Sequence, residues 1–354
     1  MGGDAVTLLQ WVIVILRVAL PVLILPLFVV PLTWLERRGA ALIQDRPGPN
    51  RVGPFGLVQP IADMIKMFFK EAITPTSADR FLYLLAPAIA VFAALSTFAV
   101  VPYGSTIHVS GGEDIPMLGA DLSIGILYIF AITSLSVYAI VLAGWASNSK
   151  FSLMGGIRSS AQIISYELAM TTAAAGVILA SSSFRLSDVI ATQQQAFPYV
   201  PLLPQWNVLI QPVGFLVFFI SAFAETNRLP FDLPEAEAEL VAGYHTEYSA
   251  MRFGAFQMAE YVNVMVVSAI TVTLYFGGWS LPGFHPRGLL GALAALLIFM
   301  AKSFFFVCVF IWVRWTLPRF RYDQLMKIGW KALLPLALAN LLWIAALEMW
   351  RMRA

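Results

Sequence analysis

Long apolar runs separated by short polar stretches set the pattern of this chain. A membrane-crossing helix needs about 20 mostly apolar residues, because the hydrocarbon layer is roughly 30 Å thick and each helical residue rises 1.5 Å. Stretches near 8–34, 81–102, 121–144, 161–180, 208–225, 256–276, 291–314 and 331–350 qualify. None alternates with period two, so helices are expected rather than barrel strands. Between the first two stretches, over 56–70, Leu57, Ile61, Ile65 and Phe68 recur at helical spacing, while Gln59, Asp63, Lys66 and Lys70 fall on another face. That pattern predicts an amphipathic helix lying at the membrane surface, and a plain peripheral anchor would satisfy it. The expected fold is all-α, a polytopic membrane protein with about eight transmembrane helices plus an amphipathic interfacial helix, in one membrane domain over 1–354.

Composition agrees: 59% of the residues are hydrophobic and 12% charged, against about 25% charged in soluble domains. The first run exceeds the apolar part of a cleaved signal and holds Pro21, Pro26 and Pro31, so it reads as a retained, bent span. Sixteen Lys and Arg residues fall in or at the edges of the loops after spans 1, 3, 5 and 7, against four in the other loops and the termini. This asymmetry places the odd-numbered loops in the cytoplasm and both termini on the far, periplasmic side. The basic residues then need no nucleic acid to explain them. The single cysteine, Cys308, cannot hold a metal cluster, and His108, His245 and His285 lie in loops, so no thiol-ligated iron or zinc and no haem held by facing histidines is expected on this chain. The far-side loops, such as Pro102 to Ala120 and Ser181 to Trp206, read as connectors.

Ionisable groups at membrane depth cost about 2.5–3.5 kcal/mol each on insertion scales, which makes them functional candidates. Glu36 ends span 1, Glu167 lies in span 4, Glu225 closes span 5 and Glu260 lies in span 6, all toward the cytoplasmic side. One shared polar cavity open to the cytoplasm would explain the common sidedness, and a row of carboxylates there can pass protons. Simple pairing is the alternative, Glu36 with Arg37 or Arg38 and Glu225 with Arg228 at i+3. Lys302, deep in span 7, is the candidate counter-charge of that cavity. The acidic cytoplasmic loop near 226–255 contains Phe231-Asp-Leu-Pro-Glu-Ala-Glu-Ala-Glu-Leu240. There Asp232 and Pro234 suggest a helix start, with carboxylates near its positive end. The first cytoplasmic loop, from Glu36 to Gly53, is a rigid basic turn around Pro47-Gly-Pro-Asn50 with no phosphate-binding glycine pattern.

Several ordered motifs carry a family resemblance. They are Glu36-Arg-Arg38, Arg46-Pro-Gly-Pro-Asn-Arg-Val-Gly53, Gln59-Pro-Ile-Ala-Asp63, Gly144-Trp-Ala-Ser-Asn148, Ser165-Tyr-Glu167, Ala224-Glu-Thr-Asn-Arg228, Pro230 through Leu240, Met258-Ala-Glu-Tyr261 and Pro318-Arg-Phe-Arg-Tyr-Asp-Gln-Leu325. In order over nearly the whole chain, they resemble the H-subunit family of NADH-quinone oxidoreductase, respiratory complex I. The resemblance implies a subunit where the quinone chamber meets the membrane arm, within a proton-translocating enzyme. Quinone would be the substrate, and either ubiquinone or menaquinone suits such an apolar cleft. FMN and iron–sulfur clusters would sit on partner subunits. It implies quinone-chamber roles for Glu36, Arg37, Arg46, Ala62, Asp63, Met64 and Phe231. It implies a proton path through Glu167, Glu225, Glu235, Glu237, Glu239, Glu247, Glu260 and Lys302. The implied partners are hydrophilic quinone-site and iron–sulfur subunits, membrane-arm subunits and the lipid of a bacterial cell inner membrane. A homologous subunit of a membrane-bound hydrogenase and a stand-alone ion transporter are the alternatives. Copurification with flavin, iron–sulfur clusters and many chains separates the first reading from a transporter.

Overall fold

The computed structural model describes residues 3–108, 114–197, 200–233, 241–283, 286 and 288–353. Each apolar stretch has become helix, since in lipid a helix satisfies all its backbone polar groups internally. In chain order they are α1 (Gly3–Ile43), the interfacial α2 (Gln59–Phe69), α3 (Arg80–Phe98), α4 (Gly125–Ala146), α5 (Lys150–Ser181), α6 (Leu186–Gln193), α7 (Asn207–Ile210) and α8 (Pro212–Glu225). After the acidic loop come α9 (Ala250–Tyr275), α10 (Gly288–Thr316), α11 (Tyr322–Lys327) and α12 (Leu334–Arg353), the last two joined by a π-helical turn over Ile328–Leu333. Among the described residues, six helical stretches are long and apolar enough to cross a membrane: α3, α4, α5, α9, α10 and the run from Tyr322 through α12. The 14-residue α8 is a shorter apolar helix.

The helices outrun the hydrophobic windows. α5 begins at Lys150 rather than near 161, because Ser152, Arg158 and Ser159 are compatible with a helix that merely leaves the hydrocarbon. The connectors after α3 and α5 also hold more structure than expected. One contains an antiparallel ribbon pairing β1 (Ile107–His108) with β2 (Asp114–Ile115), and the other contains α6 and a ribbon of β3 (Ala196–Phe197) with β4 (Val200–Pro204).

α9 is the axis of the bundle, with 78% of its most apolar window buried, against 22% for the Tyr322–Met352 run at the periphery. It packs on α3 and α10 and touches α1 and α2, while α5 is clasped by α4, α8 and α12. Lipid is as apolar as a leucine side chain, so close packing rather than water exclusion must hold such helices together. Gly155 shows how close: a Cβ there would stand 2.7 Å from the backbone of Gly243, in the acidic loop. Phe219, Phe223, Phe306 and Phe310 form a linked aromatic stack between α8 and α10. The π-helical turn meets α5 through Gly329 against the Tyr166 ring, and the Tyr166 hydroxyl donates to the Leu325 carbonyl at 2.8 Å.

Candidate functional site

The site starts at the end of α8. Asn227 adopts a left-handed conformation (φ 51°), its N–H reaches the Ala224 carbonyl, and the N–H of Arg228 reaches the Phe223 carbonyl at 3.2 Å. These two bonds form a Schellman cap, in which a residue tolerant of positive φ ends the helix and satisfies its last carbonyls. The cap turns the chain sharply and sends Arg228 into the protein, where it is only 4% exposed.

There Arg228 meets carboxylates from two other helices. Its Nη1 lies 3.6 Å from Oε1 of Glu36 on α1, and its Nη2 lies 3.6 Å from Oε2 of Glu260 on α9. Its guanidinium stacks over the Tyr261 ring, 4.4 Å from the centroid. Glu36 also accepts a short hydrogen bond from Arg314, near the end of α10. Leu32, Val264, Phe310 and Ile311 complete the wall around a cavity of ≈ 10 Å³, about the room one water requires. The four charged groups balance, two carboxylates against two guanidiniums, as burial demands. A proton arriving at either carboxylate would therefore release a guanidinium from its pairing.

Glu225 and Glu167 form a second group. Glu225 is 6% exposed, and its Oε2 has no hydrogen-bond partner among the described residues. Glu167 receives the hydroxyl of Ser134 from α4. Among the described ion pairs none joins Glu167 or Glu225 to a basic side chain. The local pairings weighed from sequence are thus replaced by long-range ones. Glu36 is neutralised by Arg314 and Arg228 rather than by Arg37 or Arg38, and the described ion pairs of Arg228 go to Glu36 and Glu260 rather than to Glu225.

Lys302 is not the counter-charge of this cavity. Its Nζ donates to the carbonyls of Phe276, Gly278 and Ser280 at 2.7, 3.0 and 2.6 Å and lies over the Trp206 ring. Phe276 follows Glu260 by sixteen residues along α9, about 24 Å at 1.5 Å per residue, so the ammonium serves the opposite end of the bundle. Glu247 is half-buried and its carbonyl accepts the Tyr83 hydroxyl at 2.6 Å. Glu235, Glu237 and Glu239, with the helix start expected at Pro234, lie outside the described residues. The carboxylate of Asp232, expected to cap that helix, is engaged by Arg319 at 2.9 Å.

The loop after α1 folds back onto α1 and α2. Trp34 Nε1 donates to the Phe55 carbonyl at 3.0 Å, and Arg37 forms a short ion pair with Asp63. Partial burial alone would push the Asp63 carboxyl up, but hydrogen bonds from Arg37 and Gln59 and the charges of Arg37 and Lys66 outweigh it and hold it below its ordinary value. Ala62 is half-buried, and Met64 is exposed beside Ile61, Ile65, Phe68 and Phe69, so α2 presents an open apolar face. Arg46 is exposed, and its Nε donates to the side-chain carbonyl of Gln44 at 2.7 Å. Phe231 is 4% exposed, wedged between Tyr166 and Phe320.

Sequence reasoning missed Arg314 and Tyr261 as members of the cluster, and Gln162 beneath it. Nothing in local sequence pairs Glu36 with a residue 278 positions away. The Asn227 cap was readable in principle, since Asn next to a helix end is a known signal for the left-handed position.

Comparison with known proteins places the chain in context. A sequence model of the NADH dehydrogenase family matches residues 16–345. NADH-quinone oxidoreductase subunit 8 of Rhodothermus marinus is 50% identical over 325 residues, 89% of this chain and 91% of that protein. The first of the H-type NADH-quinone oxidoreductase subunits of Cytophaga hutchinsonii is 48% identical over 313 residues, 88% and 89% of the two chains. The second H-type subunit of Syntrophobacter fumaroxidans is 47% identical over 347 residues, 97% and 99%.

Proposed function

This chain belongs to the NADH dehydrogenase family, and from that premise we propose that its buried charge cluster carries protons between a quinone chamber and the membrane arm of the enzyme. It is a membrane subunit of NADH-quinone oxidoreductase, the proton-translocating respiratory complex I. The observation that carries the reading is the burial of Glu36 and Glu260, from α1 and α9, on the one guanidinium of Arg228. Charges at membrane depth that share a partner are arranged for rearrangement as well as stability, because a proton on one carboxylate frees that partner for the other.

The chain's own residues then have distinct tasks. Glu36, Arg37 and Arg46, with Ala62, Asp63 and Met64 on α2 and with Phe231, frame the chamber in which quinone is reduced. Glu225 and Glu167 take the proton path onward from the Glu36 and Glu260 cluster, with Glu235, Glu237, Glu239 and Glu247 at its cytoplasmic mouth. Lys302 acts as a fastener of the far-side loop and drops out of the path. Electrons would arrive from an iron–sulfur cluster on a hydrophilic partner subunit, and FMN would sit on another. We read α1 and the short α8 as the two remaining crossings, which makes eight, in a bacterial inner membrane with both termini periplasmic.

Glu260→Gln tests the proton role, since the amide keeps the shape and cannot titrate. The complex is expected to assemble and to reduce a hydrophilic acceptor normally, while NADH-to-quinone turnover coupled to pumping falls by more than about tenfold, a barrier rise of about 1.4 kcal/mol. Normal assembly together with normal coupled turnover would remove Glu260 from the path.

A further inference from the structure

From Ala224 in the last turn of α8 the chain makes its capped turn through Arg228 and returns at Phe231. One side chain holds both ends of this excursion. Gln162 on α5 is fully buried, and its Nε2 donates one hydrogen to the Ala224 carbonyl at 3.1 Å and the other to the Phe231 carbonyl at 2.7 Å. Its two amide hydrogens are thereby used. The Ala224 carbonyl also accepts the Asn227 N–H of the cap, so Gln162 grips the motif that aims Arg228. Farther along the return, Arg319 holds Asp232 at 2.9 Å and the N–H of Phe320 bonds the Pro230 carbonyl at 3.2 Å. These contacts fix the outer part of the turn, and Gln162 alone among them spans it from start to finish.

We propose that Gln162 is the positioning residue for Arg228: by bridging the Ala224 and Phe231 carbonyls it sets where the guanidinium stands between Glu36 and Glu260. Gln162 has no ion-pair or charge role of its own. It acts through the backbone of the turn, where two hydrogen bonds in a buried setting are strong and exacting in geometry. A guanidinium 3.6 Å from each of two carboxylates has little latitude, since a small shift of the turn brings it onto one and away from the other. The inference rests on the proton-path reading above, because the placement of Arg228 matters to turnover only if that cluster carries protons.

The test uses the assembled complex in native membranes with Gln162→Leu, which removes the donors, and Gln162→Glu, which keeps the shape and removes the amide hydrogens. Both are expected to lower coupled NADH-to-quinone turnover per assembled complex by about tenfold or more, with the quinone KM and the rate to a hydrophilic acceptor unchanged. A purely structural role would reduce the amount of complex and leave turnover per complex alone. Turnover at the parent level in either assembled variant would overturn the proposal, as would failure of both variants to assemble, which would make Gln162 a folding determinant only. Glu260→Gln measured in parallel separates the two claims. A normal Gln162→Leu beside a defective Glu260→Gln sinks the positioning role alone, and normal turnover in both sinks the proton path itself.

Discussion

Arg228→Met is the perturbation whose size the structure best defines. Two opposite unit charges 3.6 Å apart attract by about 4–5 kcal/mol at an effective dielectric near 20. Arg228 makes two such pairs, and Glu36 keeps Arg314 when Arg228 is lost. The larger consequence therefore falls on Glu260, which loses this pairing while 8% exposed. Removing one partner of a buried pair typically costs about 3–5 kcal/mol, whereas replacing both by neutral groups is often close to neutral. Arg228→Met is thus expected to destabilise by about 3–5 kcal/mol, and adding Glu260→Gln to recover about 2 kcal/mol or more of it. The assay is the rate of thermal inactivation of the detergent-solubilised complex, read as hydrophilic-acceptor activity with subunit content from native gels. At about 1.4 kcal/mol per factor of ten, the single variant should inactivate about a hundredfold to a few thousandfold faster and the double variant should regain at least tenfold of that. Effects of the two substitutions that simply add, within about 0.5 kcal/mol, would refute the shared pairing.

Three further outcomes are expected. Because the Asp63 carboxyl is held below its ordinary value in the folded protein, its contribution to the α1–α2 junction is present above that ordinary value and lost as pH falls through the folded one. Protection of the amides of residues 54–69, corrected for the intrinsic exchange rate at each pH, should accordingly fall in acid, and a parent and an Asp63→Asn variant with the same acid dependence would contradict the assignment. Met64→Trp, on the exposed apolar face of α2, should raise the KM for short-chain quinones while leaving the hydrophilic-acceptor rate intact, and unchanged quinone kinetics in a fully assembled enzyme would remove α2 from the chamber. A reporter fused at the C-terminus should read as periplasmic and one inserted at Ser149 as cytoplasmic, and the reverse would invert the sidedness of every buried carboxylate in the cluster.

The sequence alone determined that this is a helical membrane protein, roughly where its helices run, and which acidic residues lie among them. Those features are local: the bilayer sets a length, each apolar run meets or misses it, and a charge within a run is conspicuous whatever surrounds it. The interfacial helix was legible for the same reason, since Leu57, Ile61, Ile65 and Phe68 show their period in fifteen residues. Helix ends were less legible, as with α5, because hydropathy reports where lipid stops rather than where helical hydrogen bonding does. Only the tertiary structure decided the partners. Glu36 could have met its neighbours Arg37 and Arg38, but Arg37 is drawn to Asp63 on α2, while the packing of α1 against α9 and α10 brings Arg314 and Arg228 to Glu36. Lys302 read as a counter-charge until its three carbonyl acceptors placed it at the other end of α9. Gln162 carries no charge and breaks no pattern, so no one-dimensional signal marks it. Its importance arises from two carbonyls 62 and 69 residues away that the fold brings within reach of a single amide.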